Sequence, residues 1–402
     1  MVTFTGSMDL SLKRHAHGGT VVDRGHQQLR VLLLDHDQTS NLYVADGLTR
    51  AGCQVHILSS SQHLRPPYRR RRIAHTTAPE VNTSEYQSLI RRIITSESVD
   101  VILPVSEGVL YYTWQENPEW SSNVFPQVAD WQQELLRSKY VMSRFVAEHG
   151  VRIPPTAPAQ TQHEIDAALA EFGFPVVVKA VRGHSGKNVR FCHARTEVES
   201  ALHELNEQSG GAAFLQKYID GPTFLAGGVF QDGEGIRWYA TQMMKTDPPK
   251  VGPSILHRTT ADPELLGAMQ TVFRAFKWTG LAECDFVQDA EGHFYFLEVN
   301  PRSWGSISAA ARAGVDLFSA LAAMLRGDDP DRDTRFGVGV DAAVFPEYAM
   351  AHLREHGLGI PSCARLVFDK ANWNSIPWTR PGLLAHLLYW LFWRNRARRE
   401  IG

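Results

Sequence analysis

The 402-residue sequence predicts a multidomain chain of α/β plus α+β architecture, with a C-terminal helical extension. Three observations carry this. A strand–helix–strand–helix–strand series over 30–105 implies a small parallel sheet. Beyond "RIPPT" at 152–156 the apolar segments pair as hairpins, with turns at "DGEG" and "DAEG". Hydrophobic content of 43% and charged content of 21% are those of an ordinary globular protein. The expected divisions are a loose tail over 1–28, an N-terminal α/β domain over 29–127, a first α+β lobe over 128–210, a second over 211–330, and an extension over 331–402.

In chain order, "RVLLLD" (30–35) reads as a buried strand, followed by a helix near 39–51 that Gly52 can close. "QVHILS" (54–59) is a second strand, "SEYQSLIRRIITS" (84–96) a helix with Ser84 as its cap, and "VDVILPV" (99–105) a third strand. Ligands bind beyond the strand ends of such sheets, so the loops with Asp35, His36, Asp37, Gln38, Ser106 and Glu107 are expected near a site. One long helix is expected over 130–149, with Leu135, Met142, Phe145 and Val146 on one face. "FPVVVKAV" (174–181) runs through "RGHSGKN" into "VRFCH" (189–193), and "AAFLQKYI" (212–219) precedes a long hairpin over 223–244. "ADPELLGAMQTVFRAFK" (261–277) reads as a helix capped by Asp262, with Pro263 in its first turn. A hairpin over 281–300 follows, and the chain reads as helical from 303 to about 326.

The last hairpin holds the chemistry. In "FYFLEVNPRSWGSI" (294–307), Glu298, Asn300 and Arg302 recur at every second position among apolar residues. Asp285, on the other arm, can lie opposite Glu298. Two acids and an amide oxygen make an all-oxygen set that suits Mg²⁺. A solvated surface hairpin is one alternative. An Arg302–Glu298 salt bridge is another, and it leaves Asn300 unexplained. Lys179 ends the apolar strand "PVVVK", and Gly183 and Gly186 let backbone N–H groups turn toward a phosphate, with Ser185 and Lys187 as further donors. The loop is not a Walker P-loop, and Gly-containing hairpin loops are common. Lys139 is a further candidate cation, or a solvated helix lysine. Backbone groups of Lys217 and Ile219 could read a flat base edge. The segment 245–258, with Lys245, His257 and Arg258, is either a lid reaching an anionic substrate or plain connection.

Other classes are set aside. Net charge is −2, with no global field for nucleic acid. "RPPYRRRR" (65–72) is one short basic run, read as a solvated connection or an arm toward the site. The four cysteines form no CxxC pair, and no HExxH or GxSxG occurs. The N-terminus has no apolar signal core, and a cytoplasmic location is expected, with contact at the membrane as the variant. "LLAHLLYWLFWRNRARR" places Leu383, Leu384, Leu387, Leu388, Leu391 and Phe392 on one helical face. It reads as a helix (382–399) docked on the body or across a dimer, with an anionic membrane surface as the alternative.

Taken in order, "PVVVK", the glycine-rich loop, "LQKYI", "AECDF" and "LEVNPR" resemble the ATP-grasp superfamily, over roughly 30–326. The likeness is greatest to its carboxylate–amine ligase and carbamoyl-phosphate-synthase-like branches. The resemblance implies a pre-ATP-grasp domain, then a two-lobed ATP-grasp fold with the metal site in its second lobe. It implies ATP and one or two Mg²⁺ ions, or Mn²⁺ in their place. Lys139 and Lys179 would contact ATP phosphates, and the loop with Ser185 and Gly186 would fold over them. Gln216 and the Lys217–Tyr218–Ile219 segment would hold adenine. Asp285, Glu298 and Asn300 would ligate metal. Arg302 would hold a carboxylate substrate and its acyl phosphate; in the mechanism expected on that basis Lys179 and Arg302 spread the charge on the transferring group, and Arg258 of the 245–258 segment is the further catalytic candidate. Relatives often place an acid for ribose just after the adenine strand. Here "DGPTF" leaves Asp220 or Thr223 to serve, or the ribose held less tightly. The implied reaction joins a small-molecule carboxylate to an amine through an acyl phosphate. Bicarbonate activation and an inactive nucleotide-binding regulator are the alternatives. A homo-oligomer is expected.

Overall fold

The computed structural model describes residues 28–35, 39–60, 73–81, 83–182, 188–208, 212–249, 252–357 and 359–389. The N-terminal domain is built on β1 (Arg30–Asp35), α1 (Thr39–Arg50), β2 (Gln54–Ser59), β3 (Ile73–Thr77), α2 (Ser84–Glu97), β4 (Val101–Pro104) and α3 (Glu107–Glu116). Its parallel sheet has the order β3-β2-β1-β4. The alternation in "RVLLLD" buries both faces: Leu32 and Leu34 meet Tyr86 and Ile90, whereas Val31 and Leu33 meet Leu42 and Leu48. Two elements of this domain escape the sequence reading. β3, "IAHTT", is a short edge strand with little apolar signal. α3 starts where a loop is expected, with Ser106 at its N-cap and Glu107 as its first residue. The cap of α2 is Thr83, not Ser84: its Oγ1 accepts from the Tyr86 N–H.

The expected helix over 130–149 is two helices, α4 (Asp130–Arg137) and α5 (Lys139–Glu148). Ser138 takes extended angles (φ −131°, ψ 108°), and its hydroxyl accepts from the Val141 N–H, so it caps α5 instead of continuing α4. Lys139 therefore opens a helix rather than sitting inside one. Its N–H donates to the Val181 carbonyl at the end of the "PVVVK" strand.

A small four-stranded sheet follows, formed by β5 (Thr156–Pro158), β6 (Val176–Ala180), β7 (Val189–Cys192) and β8 (Ala213–Lys217) in the order β5-β8-β6-β7. Helices α6 (Gln162–Phe172) and α7 (Arg195–Gln208) cover it and share a separate core with Val176, Val178 and Leu215. β8 lies between β5 and β6, so a boundary at 210/211 would cut this sheet. Helices α4 and α5, expected in the same lobe, instead pack Leu135, Leu136, Met142 and Val146 under the larger sheet. The lobes therefore divide near 155 and 218, because burial and strand pairing, not order along the chain, assign each segment.

The larger sheet has the order β13-β12-β9-β10-β11-β14. Its strands are β9 (Thr223–Gln231), β10 (Glu234–Thr246), β11 (Ser254–Thr259), β12 (Gly280–Gln288), β13 (Phe294–Asn300) and β14 (Asp341–Ala343). α8 (Pro263–Ala275) packs Leu265, Met269, Val272 and Phe273 on one face, and Asp262 caps it as expected. The turn between β9 and β10 has positive φ at both Asp232 and Gly233, the two-residue geometry that matches strand twist. The segment 245–258 is mostly sheet, which leaves 247–253 as the connection between β10 and β11. Helices α9 (Ala309–Arg312) and α10 (Leu317–Arg326) follow β13, and α11 (Glu347–His356), α12 (Ile360–Phe368) and α13 (Lys370–Ser375) follow β14. The C-terminal extension thus donates an edge strand to the larger sheet. A last helix over 381–389 buries Leu383 and Leu387 in the core that holds Leu42 and Leu48, and Arg380 pairs with Asp46 at 3.3 Å. This is the docked arrangement. Leu391, Phe392 and the rest of the expected helix lie outside the described residues.

Candidate active site

The register of β12 and β13 sets Asp285 directly opposite Glu298 and Glu283 opposite Asn300. Between these pairs and the Phe286–Phe296 pair the register shifts by one residue. Leu297 is therefore the extra residue of a β-bulge. Its consequence is large. In an unbroken strand Phe294, Phe296, Glu298 and Asn300 would share one face. With the bulge, Phe294 and Phe296 join Val299, Cys284 and Phe286 on the core side. Glu298 and Asn300 turn to the other side with Asp285 and Glu283. One strand thus serves a packed core and a polar site.

Four groups gather around this row. Lys139, first in α5, forms an ion pair with Glu298; the two side chains are 18% and 31% exposed. Burial lowers the Lys139 ammonium, but Glu298 beside it, with Glu107 and Asp285, outweighs burial and leaves its pKa raised. Burial pushes Glu298 up, and Lys139, Lys179 and Arg302 together hold it below the ordinary carboxylate value. Lys179 on β6 faces the same field. Burial brings it down to about 8, with Glu298 opposing and Lys139 adding to the fall. Asp285 is pushed up to about 8 by burial and by the carboxylate of Glu298. Glu283 is raised well above its ordinary value by burial and Asp285. Two facing carboxylates, one with a raised pKa, leave room for a cation that would hold both ionised.

Asn300 is fixed at both ends. Its Nδ2 donates to Asp285 Oδ1 at 3.3 Å and Glu283 Oε1 at 3.4 Å, and its Oδ1 accepts from Arg302 Nη2 at 2.9 Å. Arg302 Nη1 also donates to the Ser303 carbonyl at 2.8 Å, and the guanidinium lies 3.3 Å from Glu107 Oε1. Ser303 ties this turn to the N-terminal domain, its hydroxyl lying 2.9 Å from Asn41 Oδ1 and 3.2 Å from the Val105 carbonyl. Trp304 Nε1 donates to the Tyr239 hydroxyl at 3.0 Å. The strand ends of the N-terminal sheet and the turn after β13 therefore face one another across Arg302. Sequence reasoning named Glu107 only as a loop residue and passed over Glu283. The motif "AECD" holds Glu283, and its two-residue spacing from Asp285 was the signal that puts both on one face.

Other expected residues fall elsewhere. Arg258 is not brought to the cluster. It sits on β11, four strands from β13, about 19 Å at ~4.8 Å per strand. Its guanidinium is held by Asp341 at 2.7 and 2.9 Å. Lys245 pairs with Glu355 at 2.6 Å, and His257 is fully buried 3.2 Å from Thr241 Oγ1. None of the three reaches the carboxylate row. Gln216 is buried, with its Nε2 donating to Thr156 Oγ1 at 3.0 Å. The Lys217 N–H already donates to the Pro155 carbonyl, so a base edge must use the other backbone groups of 217–219. Asp220 accepts from the Tyr218 hydroxyl at 3.2 Å, and Thr223 opens β9 opposite Val287. Ser185, Gly186 and Lys187 lie outside the described residues.

The donor set can be tested against Mg²⁺. Asp285 and Glu298 offer hard oxygen atoms only, and Asn300, whose Nδ2 here faces Asp285 and whose Oδ1 faces Arg302, would offer its oxygen to a metal with the amide turned over. Among the described residues, no group of three or more His, Cys, Asp or Glu side chains is placed to hold a metal ion. A cation here would need other oxygens to complete its shell. That fits Mg²⁺, which takes one or two carboxylates and fills its octahedron with water and substrate phosphates.

Comparison with known proteins agrees with this geometry. The family model for the carbamoyl-phosphate synthase L chain, ATP binding domain, matches residues 138–329. A pyruvate carboxylase of Schizosaccharomyces pombe is 23% identical over 189 residues, covering 42% of this chain and 16% of that protein. Among the curated relatives compared, the matched stretch is between 14% and 40% of the relative's own length. The structure of a biotin carboxylase from Campylobacter jejuni superposes with a TM-score of 0.63 at 15% identity, covering 78% of this chain and 74% of that one. An L-amino acid ligase from Bacillus licheniformis gives 0.58 at 16% identity, covering 74% of each chain. At such identities these structures speak for the fold.

Proposed function

The chain belongs to the ATP-grasp superfamily of ATP-dependent ligases and carboxylases, and from that premise we propose that it activates a carboxylate as an acyl phosphate and couples it to an amine. The observation that supports this reading most is Arg302. It lies directly after the Glu298–Asn300 row, is 14% exposed, and is braced by Asn300, Ser303 and Glu107. A braced guanidinium beside a cation-seeking carboxylate row suits a reacting carboxylate next to a triphosphate.

In this reading Lys139 and Lys179 bind phosphate oxygens, and an approaching anion raises the pKa of Lys179 back toward that of an ordinary lysine. Asp285, Glu298 and Asn300 hold Mg²⁺, which supplies charge neutralisation on the phosphates when bound. Glu298 would hold the metal in place of its ion pair with Lys139, which would leave the Lys139 ammonium for a phosphate oxygen. Arg302 orients the substrate carboxylate, whose oxygen attacks the γ-phosphorus as ADP departs. The amine then attacks the acyl carbon, the C–O bond to phosphate breaks, and the amine's proton leaves to solvent or phosphate. The acyl phosphate hydrolyses readily, so the smaller lobe has to exclude water while it exists.

A second reading is bicarbonate activation, favoured by the carboxylase names among the sequence relatives. One experiment separates them: ADP release measured with panels of carboxylate and amine pairs, and with bicarbonate alone, coupled to mass detection of products. Amide formation needing both partners supports the ligase. ADP release driven by bicarbonate alone, with no amide from any pair, overturns it.

A further inference from the structure

Helix α12 is amphipathic in the reverse sense. Ile360, Val367 and Phe368 are 87%, 51% and 83% exposed, and Cys363 is exposed between them. Ile360, Cys363, Ala364 and Val367 follow the three-and-four spacing of one helical stripe. The other side is already used: Ser362 is buried, and Leu366 packs against the core of Ile255, Ala343 and Tyr348. The adjoining α13 carries Trp373, whose ring lies 4.7 Å from that of Trp378; the two are 46% and 50% exposed. Of the eleven large apolar side chains exposed among the described residues, six lie within 360–388, on α12, on the α13 helix packed beside it and on the segment that follows.

Charge indicates what covers it. Arg365 and Lys370 are exposed on α12 and α13. Residues 359–402 hold seven Lys and Arg against two Asp and Glu in the sequence; of the cations, Arg365, Lys370 and Arg380 lie among the described residues, and Arg380 pairs with Asp46. Aliphatic and tryptophan side chains set among cations complement an anionic lipid surface. A second copy fits less well, because a two-fold axis through the patch would bring the same cations face to face. Among the described residues no helix is long and apolar enough to cross a membrane.

We propose that the face formed by α12 and the Trp373–Trp378 pair seats this protein on an anionic membrane surface. Ile360, Val367 and Phe368 enter the headgroup boundary, and Arg365 and Lys370 meet lipid phosphates. This stands apart from the proposed ligase activity, since none of these residues belongs to the carboxylate row.

The test is sedimentation of the full chain with vesicles of phosphatidylcholine, with and without phosphatidylglycerol. Binding is expected only to the phosphatidylglycerol vesicles, and it should weaken with salt. The double variant Ile360→Ser, Phe368→Ser alters exposed residues, so its melting temperature should match the parent while its binding falls at least about tenfold. Deleting 390–402 removes four arginines and should also weaken binding. Failure to sediment with either vesicle overturns the proposal, as does undiminished binding by the double variant. A parent dimer that becomes monomeric in that variant would assign the patch to a second copy instead.

Discussion

Replacing Glu298 by Gln removes one charge from the centre of the row and leaves its shape almost unchanged. Two stability effects oppose each other. Removing one partner of a fully buried ion pair costs about 3–5 kcal/mol. Lys139 and Glu298 are 18% and 31% exposed, so solvent screens the pair, and the loss should be about 2 kcal/mol. Against this, Asp285 is pushed up to about 8 by burial and by Glu298. Holding its proton at pH 7 costs about 4 kcal/mol relative to an ordinary carboxyl, by linkage. Burial is the larger share, so the substitution returns about 1–2 kcal/mol of that cost. The terms nearly cancel, and the melting temperature should move by no more than about 2 °C. ADP release should fall by a factor of about 10²–10³, the usual effect of losing one group that stabilises transferring charge. Differential scanning fluorimetry and a coupled ADP assay measure both. Turnover within threefold of the parent would refute the metal role of Glu298. A fall of more than about 5 °C would show that the pair is structural.

Glu283→Ala removes an acceptor for Asn300 Nδ2, so the Mg²⁺ concentration for half-maximal activity should rise about tenfold while KM for the carboxylate stays put. Glu283→Gln keeps an acceptor and should recover most of that loss; equal Mg²⁺ dependence in all three proteins would deny Glu283 a positioning role. His257 is fully buried, and burial, partly offset by the Ser254 backbone, lowers its pKa to about 4. Between that value and 6.5 the unfolded chain takes up a proton that the folded chain refuses. Stability is therefore full above about 6.5 and falls by up to about 3 kcal/mol as pH drops toward 4. Urea midpoints at pH 7 and 4.5 should lie further apart for the parent than for His257→Gln, and an identical pH slope in the two would exclude His257 as the source.

Much of the chain was legible because local signals and tertiary structure agree there. "PVVVK", the α8 cap at Asp262 and the hairpins around "DGEG" and "DAEG" each combine a clear apolar period with a turn or cap. The facing of Asp285 and Glu298 followed from hairpin geometry alone. Where the reading failed, a non-local partner decided. Ser138 breaks the 130–149 helix because Lys139 is drawn to Val181 and Glu298. Arg258 carried the right charge, but Asp341, 83 positions later, takes it on the far side of the sheet. Glu107 came into the site because α3 points its first turn at Arg302.

The sequence by itself determined the two periodicities, most of the strands and the identities of Asp285, Glu298, Asn300 and Arg302. It could not determine which way that row points. Period-two alternation makes Phe294, Phe296, Glu298 and Asn300 equivalent. Only pairing with β12 shows that Leu297 is the extra residue that turns the phenylalanines into the core and the acid and amide toward Lys139 and Arg302. A bulge is a mismatch of count between two strands, so it is a property of the pair. The free energy that selects it comes from burying the rings of one strand against another while the carboxylates stay among cations.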